Sequence, residues 1–146
     1  MPSLKTMVIG CVDPRVDPNA VLGIAPGEVG TLRNVGGRVT PGLLREMVML
    51  REVVRAGGGD LGPGWEIVVL HHTDCGITRL EGRPELLSGF FEVDRDRPAG
   101  QAVGDPRAAV AHDVAVLRAD TRLPGLRASG LVYDVATGLV ESVVAP

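Results

Sequence analysis

Apolar residues in this chain form short runs that alternate with longer amphipathic segments. Four of these runs are typical of β-strands, at residues 6–10, 29–33, 66–70 and 131–135. The first and third runs, Met-Val-Ile and Ile-Val-Val-Leu, are apolar without interruption, as in parallel strands that are covered on both faces. A turn at residues 136–138 then predicts a final antiparallel strand at residues 139–144.

The clearest helix is predicted between the second and third strands. Thr40 is a good N-cap, Pro41 suits the first helical position, and the glycines at 57–59 end the segment. Its apolar residues recur three or four positions apart, so they share one face of the helix. These residues are Leu43, Leu44, Met47, Val48, Leu50 and Val54.

Two further helices follow along the chain. Asp105 and Pro106 repeat the same start signal, and this helix is predicted to run to about residue 120. A shorter helix is predicted at residues 85–91, and the segment 94–104, rich in charge, Pro and Gly, is predicted to be a surface loop. Strands that alternate with helices indicate an α/β fold with a mostly parallel central sheet flanked by helices.

Composition sets the class of the protein. The 146 residues suit a single domain over residues 1–146, and aromatic residues at 3% leave an aliphatic core. The net charge is −3 without a basic run, so nucleic-acid binding is not expected. No apolar run approaches the roughly 20 residues of a membrane span. The first residues lack the apolar segment of a signal peptide, so we expect a cytoplasmic protein.

Both cysteines and one histidine lie just beyond predicted strands. Cys11 follows the first strand directly, and His72 and Cys75 follow the third. Ligands of open α/β sheets bind beyond the carboxyl ends of the strands, so these side chains converge if the two strands are neighbours. Two thiolates and one imidazole form a zinc ligand set with an open fourth position. Two alternatives remain: small buried core cysteines, and a redox pair of Cys11 with Cys75.

A carboxylate and a guanidinium lie close to the first cysteine. Between Asp13 and Arg15, Pro14 lacks a backbone N–H and favours an extended conformation at Asp13. Asp13 could accept a hydrogen bond from a reacting group while Arg15 holds its other oxygen in a charge-assisted bond. The alternative is an ordinary surface ion pair, which contributes about 0–1 kcal/mol.

These motifs together resemble a known family. Cys-x-Asp-x-Arg at residues 11–15 followed by His-x-x-Cys at residues 72–75 is similar to the signature of the β-class carbonic anhydrases. The resemblance extends to Arg-Asn-Val-Gly-Gly at residues 33–37 and to Gly76. The segment at residues 133–138 is similar to the ending of the short bacterial members.

The resemblance implies a β-carbonic anhydrase-like fold and the reversible hydration of carbon dioxide to bicarbonate. It implies a zinc ion bound by Cys11, His72 and Cys75, which would lower the pKa of a bound water to about 7 and so supply hydroxide. Asp13 and Arg15 would be the catalytic pair, with Asp13 able to become a fourth zinc ligand in a closed state. A homodimer or a dimer of dimers is expected from the same resemblance.

Two other functions stay open at this point. One is hydrolysis of carbon disulfide or carbonyl sulfide on the same fold, and the other is zinc binding with little catalysis. Pro14 within the motif, and the expected absence of the helical arm that many members place before the first strand, keep the second in play. The loop at residues 34–37 either lines the site or serves only as a tight turn. We further expect His71 to face away from the site, and Asp74 to cap a short helix after Cys75.

Overall fold

A computed structural model describes residues 1–97 and 101–146 of the chain. The strands are β1 (Thr6–Cys11), β2 (Val29–Asn34), β3 (Glu66–His72), β4 (Arg127–Tyr133) and β5 (Val140–Val144). The α-helices are α1 (Pro18–Leu22), α2 (Pro41–Ala56), α3 (Pro84–Phe91) and α4 (Pro106–Ala119). Short 3-10 helices span Pro14–Val16, Val35–Gly37 and Gly76–Leu80.

The five strands form one sheet in the order β2-β1-β3-β4-β5. The first four are parallel, and β5 pairs with β4 in the antiparallel sense. The prediction of a mostly parallel sheet with an antiparallel C-terminal strand is therefore confirmed. Ile9 in β1 and Ile67 and Val69 in β3 are fully buried in a core that also contains residues of α2 and α4.

The strand ends differ from the predicted ones in a way that concerns function. Cys11 and His72 are the last residues of β1 and β3 rather than residues beyond them. Strand β4 begins at Arg127, four residues earlier than predicted, and pairs there with Glu66 of β3. A Cβ atom on Gly130 would lie 2.9 Å from a methyl group of Val110 in α4. Residues 128–130 of this strand are small residues that allow close packing, and they show no apolar run in the sequence.

The predicted helix starts are confirmed. Thr40 accepts a hydrogen bond from the Leu43 N–H at the start of α2, and Asp105 caps α4 in the same way. Helix α1 was not predicted, although Asp17 caps it and Pro18 opens it, because five residues are too few to show a helical period.

The predicted surface loop at residues 94–104 is described in part. Residues 94–97 and 101–104 form neither an α-helix nor a strand, and residues 98–100 lie outside the described residues. Within the described ranges, no helix has the length and apolar character needed to cross a membrane.

Candidate metal centre

The carboxyl ends of two neighbouring strands bring the three predicted ligands together. Strands β1 and β3 pair in parallel, so Cys11 and His72 end side by side, and the short loop after β3 returns Cys75 to the same place. The two sulfur atoms lie 3.8 Å apart, and the three potential ligand atoms all lie within 4.8 Å of one another. All three residues are buried. The structure thus groups the residues that the sequence predicts as ligands.

The hydrogen bonding of His72 leaves one ring nitrogen available for a metal. Its Nδ1 lies 2.8 Å from the carbonyl oxygen of Thr73. A carbonyl oxygen can only accept, so Nδ1 carries the hydrogen, and the lone pair of a neutral ring resides on Nε2. This Nε2 is buried and has no hydrogen-bond partner among the described residues. Metal-binding histidines commonly use one nitrogen for the metal and the other for such a carbonyl.

The spacing of the two sulfurs fits zinc. With Zn–S bonds of about 2.3 Å, two sulfurs on one tetrahedral zinc lie about 3.8 Å apart. The observed separation of Cys11 Sγ and Cys75 Sγ is 3.8 Å. Thiolate and imidazole donors in this combination are typical of zinc, and three protein ligands leave one position open for a reactant.

The two thiols differ strongly in acidity. The hydrogen bond between the two sulfur atoms lowers the pKa of the Cys11 thiol, against the opposing effect of burial. The backbone N–H groups of Asp13 and Gly36 act in the same direction, and the Asp13 nitrogen lies 3.4 Å from the sulfur. The same bond between the cysteines raises the pKa of Cys75, and burial adds to this effect. A metal ion bound here would displace the proton shared between the two sulfur atoms, since cysteines bind metals as thiolates.

Arg15 holds Asp13 beside the metal centre. Its Nε and Nη2 lie 3.0 and 2.7 Å from the two carboxylate oxygens, and its backbone N–H also binds the carboxylate. These bonds from Arg15 hold the pKa of Asp13 well below its usual range, so the carboxylate stays ionised at neutral pH. In the described part of the chain, the metal-ligand cluster comprises the two cysteines and His72, without Asp13.

The structure corrects one prediction at this loop. Asp74 does not cap the helix that follows, because Cys75 occupies the N-cap position and no side chain makes a capping bond there. Instead, Asp74 accepts a hydrogen bond of 2.8 Å from Arg15 Nη1, and its carbonyl oxygen lies 3.0 Å from Nη2. Arg15 is thereby tied to the loop that carries Cys75.

Arg33 is a further functional candidate to which the sequence analysis gave no role. Its Nε donates to the carbonyl oxygen of Cys11 and its Nη2 to that of Asp13, both at 2.8 Å. Its Nη1 forms an ion pair of 3.2 Å with Asp17. Arg33 therefore braces the backbone between the first cysteine and α1. The only sequence signal was its place in the Arg-Asn-Val-Gly-Gly motif.

A cavity of about 340 Å³ opens beside the ligands. His72, Asp74 and Cys75 contribute to its wall, together with Gly36 from the 3-10 turn after β2. Much of the remaining wall is apolar: Ile77, Val103, Pro106 and Ala109. Of the two interpretations of the loop at residues 34–37, the structure supports a contribution to the site. The wall also includes Arg38, His71 and Arg107, so apolar and polar groups share this pocket.

The chain is similar in sequence to carbonic anhydrases and to related hydrolases. Residues 6–89 match the family model described as carbonic anhydrase. The chain is 29% identical to beta-carbonic anhydrase 1 of Mycobacterium tuberculosis over 147 residues, covering 97% of this chain and 83% of that protein. It is 33% identical to the carbon disulfide hydrolase of Saccharolobus solfataricus over 88 residues, which cover 60% of this chain and 39% of the hydrolase.

Solved structures of carbonic anhydrases and of a carbon disulfide hydrolase are similar to this chain. The carbonic anhydrase from Streptococcus mutans superposes with a TM-score of 0.72 at 33% identity, covering 97% of this chain and 82% of that one. The carbonic anhydrase from Glaciozyma antarctica has a TM-score of 0.73 at 28% identity, covering 98% and 83% of the two chains. The apo form of a carbon disulfide hydrolase has a TM-score of 0.69 at 26% identity, covering 97% and 79%.

Proposed function

Since this chain belongs to the carbonic anhydrase family, we propose that it catalyses the reversible hydration of carbon dioxide to bicarbonate with zinc at Cys11, His72 and Cys75. The main support is the metal centre itself, whose three donor atoms lie within 4.8 Å of one another at the ends of adjacent strands. Similarity to β-carbonic anhydrases covers nearly the full chain, whereas similarity in sequence to carbon disulfide hydrolases covers about three-fifths of it. This difference favours carbon dioxide as the substrate.

The ligands supply the conditions that zinc chemistry requires. When bound, zinc lowers the pKa of a coordinated water toward neutrality and so supplies a nucleophile at physiological pH. Cys11 and Cys75 would bind the metal as thiolates, and the hydrogen bond from His72 Nδ1 to the Thr73 carbonyl oxygen fixes the plane of the imidazole ring. Two thiolates donate more negative charge than imidazoles, so we expect activity to increase toward alkaline pH.

Asp13 and Arg15 are proposed as the catalytic pair. The ionised Asp13 carboxylate accepts a hydrogen bond from the attacking oxygen and so directs its lone pair at the carbon of carbon dioxide. Arg15 keeps the carboxylate in place through bonds to both of its oxygens. When Arg15 releases it, Asp13 can bind the metal as a fourth ligand and close the site. The pair therefore orients the nucleophile in one state and blocks it in the other.

The cavity beside the ligands is proposed to admit the substrate. Carbon dioxide is small, linear and uncharged, and the walls formed by Ile77, Val103 and Ala109 offer apolar surface.

We further propose a cytoplasmic homodimer or dimer of dimers whose partners are small molecules rather than nucleic acids. Apolar side chains are exposed on several elements, among them Met49 and Val53 on α2, and Leu139 and Val140 at β5. Among the described strands, β5 is also an edge strand of the sheet, and its outer edge is of the kind to which another strand can pair. Association of two copies would cover such surfaces.

The substrate is tested by comparing two reactions on the same preparation. Protein with a measured content of one zinc per chain is assayed by stopped flow for carbon dioxide hydration across pH 7–9, a range chosen around the neutral pKa of zinc-bound water. Parallel samples are assayed for sulfide release from carbon disulfide. We expect hydration to be accelerated and sulfide release to stay at background. The reverse result would replace carbon dioxide by carbon disulfide, and no activity on either would support a binding role.

A further inference from the structure

A buried charged cluster lies next to the metal centre, and the proposed reaction does not use it. Its members are Asp113 of α4, Arg38 after the 3-10 turn, and His71 of β3, exposed by 0%, 1% and 3%. His71 does not join the metal ligands, but it contributes to the wall of the cavity beside them, so the prediction that it faces away from the site is correct only for the ligand cluster. Buried charges are costly unless they are paired and hydrogen-bonded, so the retention of this cluster calls for an explanation.

Asp113 is the centre of the cluster. Its carboxylate accepts hydrogen bonds from Arg38 Nε at 2.8 Å and Nη2 at 3.1 Å, and from the Val39 backbone N–H at 3.0 Å. His71 Nε2 lies 3.2 Å from the same carboxylate. Burial alone would raise the pKa of Asp113, but the bonds from His71 and Arg38 outweigh it and lower the pKa below its usual value. The carboxylate is therefore charged.

The cluster fixes the turn at residues 35–37. His71 Nε2 lies 3.1 Å from the carbonyl oxygen of Gly37 as well as near Asp113, and since both neighbours only accept, Nε2 carries a hydrogen. At the other side of the turn, the Asn34 side chain accepts from the Arg38 N–H and donates to the Arg38 carbonyl oxygen, both at 2.8 Å. Both sides of the turn are thus held by hydrogen bonds, which are buried at His71 and partly buried at Asn34.

The same turn lies directly against the first metal ligand. A Cβ atom on Gly37 would be 2.8 Å from the backbone nitrogen of Cys11, closer than real contacts allow. The carbonyl oxygen of Asn34 accepts a bond of 2.9 Å from Val12, the residue after this ligand. A shift of the turn would therefore move the end of β1, or change the N–H groups that face the Cys11 sulfur.

We propose that Asp113 is a positioning residue for the metal centre: it holds the turn at residues 35–37 against Cys11 and so keeps the ligands at the spacing that zinc needs. The inference rests on the proposed zinc site. Residues that orient metal ligands without touching the metal typically change metal affinity by about 10–100-fold when they are replaced. Asp113 reaches Cys11 through the turn, a longer path, so we expect a loss of zinc affinity near the lower end of that range.

The experiment compares Asp113→Asn with Val114→Ala. Val114 is the next residue of α4, is buried in the main core, and does not belong to the charged cluster, so its truncation weakens the same helix without altering the hydrogen bonds of the turn. Zinc affinity is measured by chelator competition under conditions where each protein is folded by circular dichroism. The thiolate-to-metal charge-transfer band of the cobalt(II)-substituted protein reports the ligand geometry independently of activity.

We expect Asp113→Asn to bind zinc about tenfold or more weakly and to shift the cobalt band, and Val114→Ala to retain wild-type values for both. If Asp113→Asn matches Val114→Ala in both readouts, the cluster only stabilises the fold and the inference is wrong. If Asp113→Asn does not fold, Arg38→Lys is tested instead, because lysine keeps the positive charge but cannot form both bonds to the Asp113 carboxylate. A weaker zinc affinity of this variant supports the inference, and a wild-type zinc affinity overturns it. Failure of the wild-type protein to bind zinc would instead reject the proposed function.

Discussion

The sulfur atoms of Cys11 and Cys75 lie 3.8 Å apart, although 64 positions separate the two residues in the chain. The parallel pairing of β1 with β3 produces this contact, because it places both carboxyl ends at one edge of the sheet. The distance matches that of two sulfurs on a tetrahedral zinc. A small core contact between cysteines requires neither this spacing nor a nearby imidazole whose Nε2 is free.

We predict one zinc ion per chain, bound by Cys11, His72 and Cys75. Replacing His72 by Gln, or Cys75 by Ser, should reduce the zinc content of the purified protein to a small fraction of the wild-type value. His112→Gln is the matched control, since this histidine lies in α4 outside the ligand cluster and should leave the zinc content unchanged. Elemental analysis of the four proteins decides, and equal zinc in all of them would refute the assignment.

Asp13→Asn should keep its zinc but lose most of its hydration rate. Three ligands remain, while the amide lacks the negative charge that orients the nucleophile. We expect a decrease of about 10–100-fold in kcat/KM, the range found when groups around a catalytic metal are replaced. Glu92→Gln serves as control, because it removes an exposed ion pair with Arg45 of the same 2.7 Å length that does not involve the ligand cluster. Near-wild-type rates for zinc-loaded Asp13→Asn would show that Asp13 has no catalytic role and is only the ion-pair partner of Arg15.

Arg15→Ala should move the activity profile to higher pH. The bonds from Arg15 hold the pKa of Asp13 below its usual range, so this carboxylate stays ionised over the whole neutral and alkaline range and does not itself titrate there. Without Arg15 it is free to bind the metal, and it competes best at lower pH, where hydroxide is scarce. Activity should then be lost first at the acidic end of the profile. Rate measurements on zinc-loaded protein over pH 6.5–9.5 show whether the midpoint shifts upward, as this account requires.

Self-association gives a further test. We expect light scattering at micromolar concentration to show a particle of at least twice the 15.3 kDa chain mass. Replacing Leu139 by Glu in the exposed apolar surface at β5 should lower this mass if β5 forms the contact, and Met49→Glu tests α2 in the same way. A particle of single-chain mass for the wild type would contradict the proposed assembly.

The sequence predicted much of the fold because two of its signals are local. Uninterrupted apolar runs marked β1 and β3, and a cap residue followed by proline marked the starts of α2 and α4. Strand β4 was placed too late because Ala128, Ser129 and Gly130 show no apolar run, and their small size matters only through the packing of α4. Helix α1 was missed because it has five residues.

The metal ligands were predictable for a similar reason, since each lies at or near a strand end that the apolar pattern indicates. The polar contacts around the metal ligands could not be predicted from the sequence. The bonds of Arg33 to two backbone carbonyls, and the link of Asp113 to the turn at residues 35–37, join segments that are distant along the chain. Local sequence signals predict that Asp74 caps a helix, whereas its partner in the structure, Arg15, is 59 positions away. Such long-range polar contacts leave no periodic signal in the sequence.

The central claim is that zinc at these three residues makes the chain a catalyst of carbon dioxide hydration. The most direct measurement is the initial hydration rate by stopped flow with a pH indicator, on protein carrying one zinc per chain, on the same protein after removal of zinc by a chelator, and after zinc is added back. The account predicts acceleration over the uncatalysed reaction, its loss with the metal, and its return on reconstitution. Zinc-loaded, folded protein that does not accelerate hydration at any pH between 7 and 9 would contradict it.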